Sequence, residues 1–150
     1  MTYADLSALR HEVAVADGPP FRSPEFLVIR FFGSYRDGSA GKDDALYIVA
    51  AATAARKAWW SRSTILDLRE LEYQWGDEMG WITSVVWDPI LRADEPLALV
   101  VGDACRNALR SLLREEYERF CVESLEQAFA SCREQARVYE QRLKDFRDRA

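Results

Sequence analysis

The chain has 150 residues, of which 49% are hydrophobic, and a formal net charge of −5 at pH 7. This size predicts one domain, residues 1–150, whose core needs neither disulfides nor a metal. The negative charge argues against nucleic acid as a partner, because proteins bind it mainly by neutralising phosphates with Lys and Arg. No uncharged apolar run reaches 18 residues, which argues against a membrane span.

The cysteines and the amino-terminal sequence indicate a cytoplasmic protein. Cys105, Cys121 and Cys132 show no C-x-x-C spacing, which favours reduced core residues over a disulfide framework or a metal site. The first residues, MTYADLSALRHE, include no apolar segment of the kind found in secretory signals. His11 is the only histidine, so a catalytic pair would depend on it alone. We expect no metal and no cofactor.

The chain begins with two predicted strands. After a short helical pattern, Val13 and Val15 alternate within residues 11–16 as in a strand with one buried face. Residues 26–32, FLVIRFF, are β-branched and aromatic and predict a second strand that pairs with the first in antiparallel fashion. Residues 33–44 have turn chemistry throughout and predict a loop. A phosphate-binding loop is disfavoured because Ser39 stands where the motif requires lysine.

A helix and a buried strand are predicted next. Asp43 and Asp44 suit a helix amino terminus, and apolar residues then recur at three-and-four spacing, at Ala45, Ile48, Val49, Ala52, Ala55 and Trp59. Residues 64–68, TILDL, read as an inner strand with Asp67 as a charge on its buried side. The polar turn 72–80 follows, and residues 79–92 predict a second helix that Pro89 interrupts.

The last third of the chain predicts two more strands and two more helices. Residues 97–101 read as a buried strand, and residues 104–113 as a helix with Asp103 at its N-cap. After a short strand at 120–122, Ser124 and Gln127 form a capping box that starts a helix extending to about residue 146. This helix carries a heptad-like seam, which we expect to pack within the domain rather than in a homodimer: Phe129, Cys132, Ala136, Tyr139, Leu143 and Phe146.

This order of elements predicts an α/β fold. Helices that alternate with strands imply a mostly parallel sheet, and the first two strands add an antiparallel pair at its edge.

The turn 72–80 is the candidate functional site, because open α/β sheets usually place their sites where a strand ends in a loop. Aromatic and acidic side chains alternate there in the manner of protein-binding hot spots: Tyr73, Trp75, Asp77, Glu78 and Trp81. Trp75 and Trp81 could each belong to the hydrophobic core instead of the binding surface. Catalysis by Asp77 and Glu78 is disfavoured, since adjacent turn residues point apart and no histidine converges on them.

The chain resembles the STAS domains, the family of bacterial anti-anti-sigma factors and of the cytoplasmic tails of sulfate transporters. The similarity rests on the order of elements, on Leu66-Asp67-Leu68 and on the late Ser-Leu-Glu-Gln-Ala at 124–128. The family's turn, Asp-Ser-Ser-Gly-Leu, falls on residues 75–79, so its phosphoacceptor serine corresponds to Asp77. The resemblance implies a STAS-like fold in which residues 136–150 are a carboxyl-terminal extension.

The resemblance also implies partner switching, in which a kinase or antagonist docks on the turn and phosphorylation releases it. Asp77 would set a permanent negative charge at that place. We therefore expect a non-catalytic, monomeric, bacterial protein-binding module that uses turn 72–80 and has a protein as its partner, with no nucleic acid and no membrane. The alternative is a small acidic immunity or antitoxin protein that binds and blocks a toxic enzyme.

Overall fold

A five-stranded mixed sheet forms the centre of the structure, a computed structural model that describes residues 2–16 and 23–149. Its strand order is β1-β2-β3-β6-β7, and a separate two-stranded sheet pairs β4 with β5. The strands are β1 (Arg10–Ala16), β2 (Phe26–Ser34), β3 (Ser63–Glu72), β4 (Trp87–Asp88), β5 (Ala93–Asp94), β6 (Leu97–Val101) and β7 (Cys121–Val122). The α-helices are α1 (Tyr3–Leu6), α2 (Gly41–Trp59), α3 (Arg106–Leu113), α4 (Tyr117–Phe120) and α5 (Leu125–Arg149). Short 3-10 helices cover Gly38–Ala40, Met79–Val86 and Arg114–Glu116.

The predicted α/β fold class is confirmed. β1 pairs with β2 in antiparallel fashion, with Val13 opposite Ile29, and the pairs β2–β3, β3–β6 and β6–β7 are all parallel. The central strand β3 lies between two parallel neighbours, and its Asp67 is fully buried, as the sequence predicted. The oxygens of Asp67 accept hydrogen bonds from the side chains of Arg30 and Arg69, which satisfies the buried charge.

Helices cover both faces of the sheet, which explains why its inner strands are apolar on both sides. The larger core packs α2, the 3-10 helix Met79–Val86, α3 and α4 against one face, with Leu66 and Leu99 at its centre. The amino-terminal half of α5 covers part of the other face, where Ala128 and Cys132 pack on Ile65 and Ala98.

Two predicted boundaries around the sheet are wrong. The segment 33–44 is not a loop throughout, because β2 continues to Ser34 and α2 already begins at Gly41. Asp103 does not cap α3, which begins at Arg106 with Cys105 at its N-cap. The carboxylate of Asp103 accepts instead from the Arg106 guanidinium, at 2.5 Å.

The predicted helix over 79–92 is also wrong. Residues 79–86 form a 3-10 helix, and residues 87–94 form the β4–β5 hairpin. Thr83 and Ser84 donate their hydroxyls to the carbonyls of Gly80 and Trp81, three residues earlier. These bonds and the β-branched residues in MGWITSVV favour the tighter helix over an α-helix.

The long helix α5 is confirmed, and its seam packs within the chain along most of its length. Gln127 donates its N–H to the Ser124 hydroxyl, as in a capping box, but its side chain accepts from the N–H of Glu123 rather than that of Ser124. Phe129 packs on Phe26 with the ring centroids 4.6 Å apart. Phe146, by contrast, is 48% exposed. None of the helices in residues 2–16 and 23–149 has the length and apolar character needed to cross a bilayer.

Candidate functional site

The candidate turn lies at the carboxyl ends of the parallel strands, between the loops that follow β2 and β6. Strand β3 continues through Glu72, four residues beyond its predicted end, so the turn itself begins at Tyr73. Tyr35 donates its N–H to the Glu72 carbonyl at 2.9 Å, and Tyr73 donates its N–H to the Ala104 carbonyl at 3.0 Å. Both neighbouring loops therefore hold the start of the turn.

Two glycines let the turn and the loop after β2 close on the ring of Tyr35. A Cβ atom at Gly76 would lie 2.6 Å from Cε1 of Tyr35 and 2.7 Å from the Arg36 carbonyl oxygen. A Cβ at Gly41 would meet the same two atoms at 2.5 and 2.6 Å. The Tyr35 hydroxyl then donates to the Asp77 carbonyl at 2.5 Å, and the Asp77 N–H donates to the Gly38 carbonyl at 2.9 Å. The backbone of the turn is thus fixed at its centre.

A buried carboxylate anchors the loop beneath the turn. Asp44 is 1% exposed and accepts from the Ser7 hydroxyl at 2.5 Å and from the N–H, Nε and Nη2 of Arg36 at 2.7 to 3.0 Å. Burial acts to raise the pKa of Asp44, but the hydrogen bonds from Arg36 and Ser7 outweigh it and hold the pKa below its usual value. Asp44 is in the first turn of α2, as predicted. It also has a second role, because its ionised carboxylate holds Arg36 and with it the loop of residues 35–37.

The aromatic residues of the predicted site divide between surface and core. Trp75 is 59% exposed, and the edge of its ring lies over Gly38, where an added Cβ would be 3.2 Å from Cη2. Trp81 is 36% exposed on the 3-10 helix. Tyr73 is only 3% exposed, and its ring meets that of Tyr35 edge-on at 5.1 Å. Tyr73 therefore supports the turn from the core and offers a partner no contact surface.

The carboxylates of Asp77 and Glu78 are exposed beside Trp75 in the sequence. Within the described part of the chain, neither makes a side-chain hydrogen bond or an ion pair. Burial and the nearby charges, which include Asp77 and Glu78, raise the pKa of Tyr35. Residues 71–91 contain no Lys or Arg, so this segment offers no basic side chain to neutralise the turn. The exposed side chains of residues 73–81 therefore include two carboxylates and two aromatic rings but no basic group.

Other candidate chemistry does not meet this turn. His11 lies on the edge strand β1, with its Nδ1 atom 2.7 Å from the Tyr47 hydroxyl. The three cysteines are free thiols, and burial raises the pKa of Cys121 and of Cys132 to about 12. Among the described residues, no three His, Cys, Asp or Glu side chains are grouped so that they could hold a metal ion.

Sequence reasoning missed the residues that support the site. Tyr35, Arg36 and Asp44 lie 29 to 38 positions before Tyr73, where the turn begins, and no spacing in the sequence connects them to it. The available signal was glycine: Gly41 and Gly76 each occur where the backbone must approach another segment closely.

Comparison with known proteins does not assign this chain to a family. No model of a known protein family matches the sequence, and no curated protein matches it.

Proposed function

We propose that this protein is a non-catalytic binding module that captures a basic protein partner on the surface formed by Trp75, Asp77, Glu78 and Trp81, hereafter the docking turn. The proposal rests on the observation that Trp75 is 59% exposed while hydrogen bonds at Asp77 fix the backbone of the turn. An exposed tryptophan on a preorganised loop loses little conformational freedom on binding, which favours affinity. Unpaired carboxylates beside it favour a partner that presents Lys or Arg.

The resemblance to STAS domains gives this proposal a mechanism. A kinase or antagonist would dock on the turn in that family, and Asp77 stands where the phosphoacceptor serine is expected. Residues 72–80 contain no Ser or Thr, so we expect the charge at this place to be permanent. We therefore propose that this chain is a STAS-like protein that binds its partner without a phosphorylation switch in the turn. We also propose that it acts in the bacterial cytoplasm. The free thiols agree with a reducing compartment.

The permanent charge also favours the second candidate, an immunity or antitoxin protein. Such a protein blocks a toxic enzyme by constant occupation of its basic site and needs no release by phosphate. The neighbouring genes separate the two candidates: a kinase or sigma-factor gene supports partner switching, and a toxin gene supports inhibition.

The test uses Trp75→Ala and Asp77→Arg. We expect both variants to fold cooperatively and to lose the partner, because the two side chains lie outside the core. Partners captured by the wild-type chain in its host are purified, and their affinities are measured by calorimetry. Loss of an interface hot spot costs about 2 kcal/mol or more, which is roughly thirtyfold in Kd.

Matched controls alter the same residue types elsewhere. Trp59→Ala removes a comparably exposed tryptophan at the end of α2, and Glu115→Arg reverses an exposed charge near α4. Both controls should bind like the wild-type chain. A partner whose affinity is unchanged by both turn variants, or is reduced equally by the controls, would refute the proposal.

A further inference from the structure

A second surface with binding character lies between α5 and the β4–β5 hairpin. It is a cleft of about 460 Å³, and its walls include Trp87, Arg92, Arg119, Val138, Tyr139 and Arg142. Gln135 of α5 bonds to both backbone groups of Leu97, the first residue of β6. The cleft is therefore at the amino ends of the parallel strands, at the edge of the sheet opposite the docking turn.

Specific contacts hold the hairpin to α5 and to α4 around the cleft. The Tyr139 hydroxyl donates to Oδ2 of Asp88 at 2.7 Å, and Oδ1 of Asp88 accepts from the N–H groups of Ile90 and Leu91. Arg119 pairs with Asp94 at 2.7 Å. The cleft is thus formed before any ligand enters, which is usual for small-molecule sites.

Arginines outnumber carboxylates among the residues that line the cleft, although the chain is acidic. Three arginines and two carboxylates line it. Both carboxylates are already paired, Asp94 with Arg119 and Glu134 with Arg137 at 3.0 Å. Within the described residues, Arg92 and Arg142 have no hydrogen-bond or ion-pair partner. Arg92 lines the cleft from the hairpin and Arg142 lines it from α5. A guanidinium group can bind an anionic group bidentately.

The backbone of Arg92 has a conformation that suits glycine. Its φ of 51° lies in the left-handed region, which glycine adopts without strain and arginine does not. Glycine can therefore replace Arg92 without backbone strain, so a substitution can remove the guanidinium alone.

Apolar side chains complete the site. Trp87 is 52% exposed and Val138 is also exposed, so an indole face and an aliphatic group remain open beside the arginines. An aromatic ring can stack on the indole while its anionic substituent binds the guanidinium groups.

We propose that this cleft binds a small organic anion that carries an aromatic ring, with Arg92 and Arg142 on the anionic group and Trp87 on the ring. The site is separate from the docking turn and does not depend on the function proposed for it.

The experiment titrates the full-length, nitrogen-15-labelled chain with phenyl phosphate or with benzoate and records the protein's NMR spectrum. We expect saturable shifts of the Trp87 indole N–H and of the Arg92 and Arg142 amides in the low millimolar range or tighter, weakened by salt. The two probes separate phosphate from carboxylate as the preferred group. Inorganic phosphate lacks the ring and benzamide lacks the charge, so each should bind at least about tenfold more weakly.

Arg92→Gly and Arg142→Gln should each raise the Kd of the preferred probe about tenfold, since each substitution removes charged hydrogen bonds. Glycine suits the backbone at position 92, so this variant should fold. Arg114→Gly is the matched control, because Arg114 has a φ of 50° and does not line the cleft. It should bind the probe like the wild-type chain. The proposal is overturned if no probe saturates, if benzamide binds as tightly as the anions, or if Arg92→Gly binds like Arg114→Gly.

Discussion

Gly76 and Gly41 matter because a single methyl group at either position would strike Tyr35. The closest contacts include the Arg36 carbonyl oxygen, a backbone atom that cannot rotate away. The docking turn therefore depends on the absence of a side chain as much as on the side chains it presents.

Gly76→Ala should destabilise the protein by about 1 to 3 kcal/mol, because the added Cβ overpacks the junction between the turn and the Tyr35 loop. Denaturant unfolding at equilibrium measures the change. Gly80→Ala is the control, since a Cβ there has no atom within 4 Å. We expect little or no loss of stability from that variant, and an equal loss in both would contradict the packing argument.

Asp44 gives the stability of this region a pH dependence of known sign. Its folded-state pKa lies below the unfolded value of about 3.9, so near pH 4 the unfolded chain binds more protons than the folded chain. The stabilisation is therefore present above the unfolded pKa and is lost as the pH falls through the folded pKa.

Asp44→Asn should lower the free energy of unfolding by about 1 to 3 kcal/mol at pH 7, because Arg36 loses its buried anionic partner. Urea unfolding from pH 7 to pH 2 should show this difference shrinking below about pH 4, because the unfolded wild-type chain takes up a proton at Asp44 there, and the difference should disappear below the lowered folded-state pKa. Asp43→Asn, an exposed neighbour in the same helical turn, is the control. A difference between wild type and Asp44→Asn that does not change with pH would show that charge is not the cause.

Among the elements, α5 combines two different environments. Its first half packs on the sheet through Ala128 and Cys132, whereas its second half passes the end of β6 at Gln135. Tyr139 and Leu143 remain half-buried there against the hairpin and the segment around Pro96. The seam therefore stabilises the chain mainly through residues before 140.

Deletion of residues 140–150 should leave a folded monomer with a free energy of unfolding lower by about 1 to 3 kcal/mol, since Leu143 is only partly buried and Phe146 is 48% exposed. Thermal melts and light scattering on the full and shortened chains test this. Phe146→Ala alone should change stability by no more than about 0.5 kcal/mol. A full-length dimer that becomes a monomer on deletion would instead assign the seam to self-association.

Across the whole molecule, the two candidate sites differ in charge and lie at opposite ends of the parallel strands. The docking turn carries Asp77 and Glu78 and no basic side chain, whereas three arginines and two carboxylates line the cleft. The docking turn is at the carboxyl ends of the strands, and the cleft is at their amino ends. Such a separation orients a charged partner as it approaches and makes its association rate sensitive to salt.

The local pattern of the sequence was enough to predict the sheet and the place of the turn. Apolar runs and their periods identified the five sheet strands, α2 and α5, and the order of elements implied parallel pairing with an antiparallel edge. Asp67 was expected on a buried side because apolar residues flank it. These features depend on neighbours within a few positions, which a sequence displays directly.

Contacts between distant segments decided the rest. The burial of Tyr73, the Arg36–Asp44 anchor and the glycine packing around Tyr35 each join residues of different elements. The cleft likewise combines residues 87–94 with residues 119–142. No local period encodes such contacts, since they exist only after the chain has packed. The sequence by itself determined the five strands of the main sheet and the acidic turn. The tertiary structure determined which side chains that turn presents.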